Sequence, residues 1–186
     1  MTGTSPGSGP ASETSTFGLP VDLLVLDFDG VLTDNAVWVD QHGVELVRCD
    51  RSDSLGLAML RDAGVSILVM STETNPVVSA RCAKLKIAAE QGVADKGPRL
   101  KALLAERGID HANVMYVGND VNDADCLRLV GKAVVVNDAH PDVLPLADHV
   151  LSRPGGHGAV RELCDLLLTC LGHRPGLPPS ATTEAS

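Results

Sequence analysis

Two carboxylates separated by one residue, Asp27 and Asp29, end an unbroken apolar run, Leu23-Leu24-Val25-Leu26, and Gly30 follows at once. Core packing accounts for the run but not for its ending. Acids this close repel when both are ionised, and a divalent cation that favours hard oxygen ligands, Mg2+, relieves the repulsion. A carboxylate beside such an ion can attack a phosphorus centre and form an aspartyl-phosphate. The second carboxylate can protonate the leaving alkoxide and then activate water. That chemistry also calls for a hydroxyl and a lysine on neighbouring strand ends, to steady the phosphoryl oxygens.

The surrounding pattern supplies such strand ends. The run at 22–27 is apolar without alternation, as in a strand covered on both faces. Similar runs occupy 65–70, which ends in Ser71-Thr72, and 114–117, which ends in Gly118-Asn119-Asp120-Val121-Asn122-Asp123. Weaker strands are expected at 88–93 and 133–136. Helical signals lie between them. The first helix is capped by Ser52 or Asp53 and stopped by Gly64; a second opens at Asn75-Pro76; a third runs from Gly97-Pro98 to Gly108. A short helix ends near Val130, and a last one spans 159–171 with Val160, Leu163, Cys164, Leu167, Leu168 and Leu171 at helical period. Residues 36–39 and 44–47 flank Gly43 and read as a β-hairpin that carries the only Trp, Trp38. Trp38 reads as a hairpin packing or interface residue. The fold class is therefore α/β: a doubly wound parallel sheet with helices on both faces plus a hairpin insertion. In such sheets ligands bind at the carboxyl ends of the strands, where Asp27, Asp29, Ser71, Thr72 and 119–123 all fall.

Composition narrows the setting. The 186 residues carry a net charge of −9 and no Lys/Arg-rich run, which argues against nucleic acid or an acidic membrane as the main partner. Five scattered cysteines without a CxxC pair read as reduced thiols of a cytoplasmic protein. No apolar run reaches the roughly 18 residues of a membrane span. Residues 1–20 and 173–186, rich in Ser, Thr, Gly and Pro, read as a disordered leader and tail around one domain at 21–172.

Asp27-Phe28-Asp29-Gly30-Val31-Leu32-Thr33-Asp34 resembles motif one of the haloacid dehalogenase superfamily of phosphotransferases. Ser71 matches its motif-two hydroxyl, Lys96 its motif-three lysine, and Gly118 to Asp123 its motif-four loop. The hairpin in place of a large cap, Arg51-Ser52-Asp53 and Gly155-Gly156-His157-Gly158 resemble the capless branch. That branch holds phosphatases of 3-deoxy-D-manno-octulosonate 8-phosphate and 2-keto-3-deoxynononate 9-phosphate, and the C-terminal domain of sialate cytidylyltransferases. Ser71-Thr72-Glu73 and Gly118-Asn119-Asp120 look closer to the nine-carbon side. The resemblance implies an Mg2+-dependent phosphatase of a 2-keto-3-deoxy sugar acid, with Asp27 as nucleophile and Asp29 as acid and base. Ser71 and Lys96 would hold the phosphoryl group. Thr72, Glu73, Arg81 and Lys84 would meet the sugar acid; the last three read also as an exposed ion-pair set. Asp27, Asp29 and Asn119 would hold the metal. Motif four usually has Asp directly after the glycine, so the neutral Asn119 weakens the seat unless Asp120 compensates. The working form would be a homotetramer in which one subunit's hairpin closes the next subunit's site. The competing expectation is a catalytically weak oligomerisation partner of a sialate cytidylyltransferase.

Overall fold

The computed structural model describes Gly18 and residues 20–173. The leader and tail expected from composition lie almost wholly outside them. A six-stranded, all-parallel sheet runs in the order β5-β4-β1-β6-β7-β8. Its strands are β1 (Leu23–Leu26), β4 (Ser66–Met70), β5 (Ala88–Glu90), β6 (Val114–Gly118), β7 (Lys132–Val135) and β8 (His149–Val150). β1 lies at the centre, pairing Leu23–Leu26 with Ser66–Val69 on one side and Val114–Val117 on the other. Both its faces are covered, so all four of its residues are fully buried, as their unbroken apolarity requires.

The helices are α1 (Arg51–Asp62), α2 (Val77–Leu85), α3 (Lys96–Arg107), α4 (Ala124–Leu129) and α5 (Ala159–Cys170). The chain leaves β1 toward β5 and returns past it to β6, so right-handed crossovers place α1 and α2 on one face and α3 and α4 on the other. α5 packs against α1, and α3 against α4. The reversal puts the topological switch point beside β1, at the ends of β1, β4 and β6.

Two local expectations need correction. The cap of α1 is Asp50, whose carboxylate accepts from the Ser52 amide at 2.7 Å, not Ser52 or Asp53. Asp53 is instead buried at the α1–α5 contact, where it accepts from the Arg161 amide at 2.8 Å. α2 begins at Val77 with Pro76 at the N-cap position, although the Asn75 side chain still accepts from the Val77 amide. The two-residue strand β8 is too short to leave a pattern in sequence.

The hairpin forms a separate two-stranded sheet, β2 (Thr33–Val39) and β3 (Glu45–Cys49), with Trp38 opposite Leu46. Its turn is held by the Asp40 carboxylate, which accepts from the amides of His42 and Val44. Trp38 is 58% and Leu46 62% exposed, so this pair does not pack against the core, whereas Val47 and Cys49 at the base of the hairpin do.

Candidate active site

Three strand ends build the site. Asp27 follows β1, and its amide extends the ladder to Val117 O. The chain then turns tightly: the amides of Leu32 and Thr33 both bond Phe28 O, Gly30 takes φ 81°, and Thr33 Oγ1 accepts from the Gly30 amide. Ser71 follows β4 and Asn119 follows β6. A loop ahead of α5 clamps this turn from outside, with the Gly156 amide on Val31 O. There is no room for a side chain there: a Cβ on Gly155 would collide with the Gly30 carbonyl, and one on Gly156 with the Asp34 amide.

Lys96, at the first turn of α3, is buried with its ammonium between two carboxylates, Asp27 Oδ1 at 2.7 Å and Asp123 Oδ1 at 2.8 Å. Asp27 Oδ1 also accepts from the Phe28 amide. Burial pushes the Asp27 carboxyl up to about 7; the Asp123 charge pushes the same way, and Lys96 pulls against both. Burial also acts to lower the Lys96 ammonium, but the two carboxylates outweigh it and leave its pKa raised. Asp29 is half-buried, and burial followed by the Glu73 charge raises its carboxyl, the direction a proton donor needs.

The other Asp27 oxygen faces a different group. The Asn119 side-chain oxygen lies 3.2 Å from Asp27 Oδ2 and 2.9 Å from the Asp29 carbonyl oxygen. Three acceptors meet there, with no donor among them. Reversing the amide would give two hydrogen bonds, and the oxygen-inward orientation makes sense around a cation. Oxygens ligating Mg2+ at about 2.1 Å in an octahedron sit about 3.0 Å apart along each edge, so this set fits. A cation there would be held by one carboxylate, one amide and one carbonyl oxygen. No group of three or more His, Cys, Asp or Glu side chains suited to a metal occurs among the described residues.

These groups open on a cleft of about 250 Å³ lined by Asp27, Asp29, Asn35, Thr72 and 119–122. A larger hollow, about 340 Å³, lies at the outer face of α5 and contains none of them. Asp120 lines the cleft with its Oδ1 taken by the Val121 amide at 2.7 Å. Ser71 is buried and its Oγ accepts from the Glu73 amide. The Glu73 carboxylate accepts from the amides of Thr74 and Asn75. The remaining expected contacts are not brought together. Arg81 donates to Asp50 O and Ser54 Oγ on α1, and Lys84 lines a separate hollow with Ser54, Ala58 and Arg61. Position 84 lies roughly 10 Å down α2 from its start, at 1.5 Å per residue, and so away from the strand ends. Lys96 is likewise placed to neutralise Asp27, and it is not among the residues lining the cleft.

Asp123 is the residue missing from the expected site set. It is fully buried and accepts from Lys96, the Tyr116 hydroxyl and the amides of Asn119 and Asp120. The signal was present: an acid four residues beyond Asn119, on the same loop.

A profile of haloacid dehalogenase-like hydrolases matches residues 78–163. The 3-deoxy-D-manno-octulosonate 8-phosphate phosphatase KdsC of Salmonella typhi is 37% identical over 166 residues, 88% of this chain and 88% of that protein. The chain belongs to the haloacid dehalogenase-like hydrolases. The KdsC of Escherichia coli K12 is 38% identical over 82% of this chain and 81% of its own length. Among solved structures, a HAD family chain from Streptomyces avermitilis superposes with a TM-score of 0.79 and 47% identity, covering 81% of this chain and 89% of its own. The Moraxella catarrhalis 3-deoxy-D-manno-octulosonate 8-phosphate phosphatase, solved with magnesium, phosphate and KDO, gives a TM-score of 0.78 at 29% identity, covering 81% and 87%. As a member of this family with its acidic pair and buried lysine in place, the protein is an enzyme of the phosphomonoester hydrolase class.

Proposed function

We propose that the protein is an Mg2+-dependent phosphatase of an eight-carbon 3-deoxy-ulosonate 8-phosphate. The observation that carries the reading is the convergence of the oxygens of Asp27, Asp29 and Asn119 beside a lysine-neutralised nucleophile. The names of the KdsC relatives support the sugar.

Asp27 Oδ2, the Asp29 carbonyl and the Asn119 amide oxygen would hold the metal, with Asp120 nearby. When bound, Mg2+ supplies charge that keeps Asp27 ionised and offsets the phosphoryl oxygens. The steps belong to the side chains. Asp27 attacks phosphorus as the bond to the sugar oxygen breaks, and Asp29 gives that oxygen its proton. Asp29 then takes a proton from water, which attacks the aspartyl-phosphate, releases phosphate and restores Asp27. Lys96 holds the Asp27 carboxylate in place, Ser71 stands at the neighbouring strand end, and Thr72 and Glu73 sit at the rim.

A phosphorylated sugar acid carries a carboxylate too, yet no Lys or Arg is among the residues lining the cleft. This supports a homotetramer in which a neighbouring copy closes the site, and the exposed Trp38–Leu46 face of the hairpin supports it as well. Arg81 and Lys84, which do not line their own cleft, then meet the substrate only across such an interface. None of the described helices is long and apolar enough to cross a membrane. The oligomerisation-partner reading is not favoured, because the nucleophile, acid and lysine are all retained.

Phosphate release from eight- and nine-carbon ulosonate phosphates, with Mg2+ and with EDTA, tests the reading. The eight-carbon ester is turned over fastest, EDTA stops it, and Asp27→Asn lowers kcat by roughly four orders of magnitude or more while the protein stays folded. Turnover by Asp27→Asn would sink the mechanism, and preference for the nine-carbon ester would sink the substrate.

A further inference from the structure

Tyr116 is the chain's single tyrosine and is wholly buried in β6. A buried phenol brings a hydroxyl that must find a partner, a demand that phenylalanine would not make. Here the hydroxyl donates to Asp123 Oδ1 at 2.6 Å, the same oxygen that accepts from Lys96 Nζ at 2.8 Å. Asp123 Oδ2 accepts from the amides of Asn119 at 2.9 Å and Asp120 at 3.2 Å. One carboxylate thus reaches the lysine that touches the nucleophile and also the backbone of the residue whose side-chain oxygen faces the metal seat.

We infer that Tyr116 is a positioning residue for the metal seat: its hydroxyl fixes the Asp123 carboxylate, which in turn sets Lys96 against Asp27 and holds the Asn119 backbone. The phenol touches neither substrate nor metal. With two donors on Oδ1 and two on Oδ2, the carboxylate cannot rotate without breaking a bond. Without the phenol, Oδ1 has Lys96 alone and swings toward it. The strap to Asn119 and Asp120 then loosens, and the ammonium shifts its share from Asp27 to Asp123. If the ring served only to fill space, Phe would do as well.

The inference rests on the metal-dependent phosphatase reading, and the test separates the two. Mg2+ binding is measured by titration calorimetry on substrate-free protein. Tyr116→Phe binds Mg2+ about tenfold more weakly, the size expected when a hydrogen bond to a charged acceptor is lost. At saturating Mg2+ its kcat falls while KM for the ester stays put. Val114→Ala, a core truncation on the same strand, keeps wild-type Mg2+ affinity. A second measurement needs no mutation. 3-Fluorotyrosine labels this one position in the whole chain, and its 19F resonance shifts as Mg2+ is added. Unchanged Mg2+ affinity in Tyr116→Phe, equal weakening in Val114→Ala, or a resonance indifferent to bound Mg2+ overturns the positioning role and leaves the phosphatase reading standing. Failure of the wild-type protein to bind Mg2+ removes both.

Discussion

At residue scale, Asn119 is the weak point of the proposed metal seat. It offers an amide dipole where a carboxylate would bring a second full charge to the seat that Asp27 begins. Ligand charge count tunes affinity for hard cations, so Asn119→Asp binds Mg2+ about tenfold more tightly in a calorimetric titration. An unchanged constant would mean that this side chain does not ligate. Asp53 offers a second test, of stability. One of its oxygens accepts from the Arg161 amide and the other has no partner, and burial holds its carboxyl up at about 6. The folded pKa lies above the unfolded one, so the stability this group allows is complete below about pH 4. It is lost as pH rises through about 6, a swing of about 2–3 kcal/mol. Asp53→Asn keeps an acceptor for Arg161 and flattens that part of the profile. Denaturant unfolding of both proteins at pH 5 and pH 7.5 would show it, and identical slopes would refute it. Sequence pattern alone revealed Asp27 and Asp29, because acids ending a doubly covered strand have no packing reason to be there. It did not reveal Asp53, which copies a helix cap, nor the bonds that join Asp123 to Tyr116 and Lys96, which exist only once the fold closes over them.

At the scale of elements, the site depends on two loops that interlock. Gly155 and Gly156 of the loop ahead of α5 press against the turn after β1, where a Cβ on either meets backbone. Backbone cannot rotate out of the way as a flexible side chain can. Gly155→Ala must therefore displace the Asp29–Gly30 segment, and kcat falls about tenfold or more, since misplacement of about 1 Å is that costly or worse. Gly64→Ala is the control: that glycine after α1 has φ 94° but open space around it, so its loss costs only about 1–2 kcal/mol of left-handed strain. Comparable kcat values in the two variants would discount the clamp. Continuous apolar runs made β1, β4 and β6 readable, and the hairpin was readable from its turn. The strand order was not, nor was the contact between residues 155–156 and 30–34, because both depend on packing between segments far apart in sequence: β1 pairs with β6 across 91 residues, and 155–156 meets 30–34 across more than 120.

At the scale of the molecule, an acidic chain with net charge −9 exposes an apolar hairpin face that nothing in the protomer covers. Exposed apolar patches of this kind mark interaction surfaces. Leu46→Glu, opposite Trp38, is expected to convert a tetramer to smaller species by sedimentation and to lower kcat/KM about tenfold or more, as for other central interface residues. The emission of the one tryptophan should move to the red in the same variant. A wild-type protein that is already monomeric and fully active would end that proposal. The central position of β1 has a consequence in time. Its residues are made first, yet one of its edges stays unpaired until Val114–Val117 have emerged. The nucleophile at the end of β1 therefore lacks its neighbouring strand until residues 28–113 have been made. Lys96, Asn119 and Asp123 arrive only around then, and folding waits on that long-range pairing. A nascent chain stalled before β6 leaves the ribosome has an open apolar strand edge and no phosphatase.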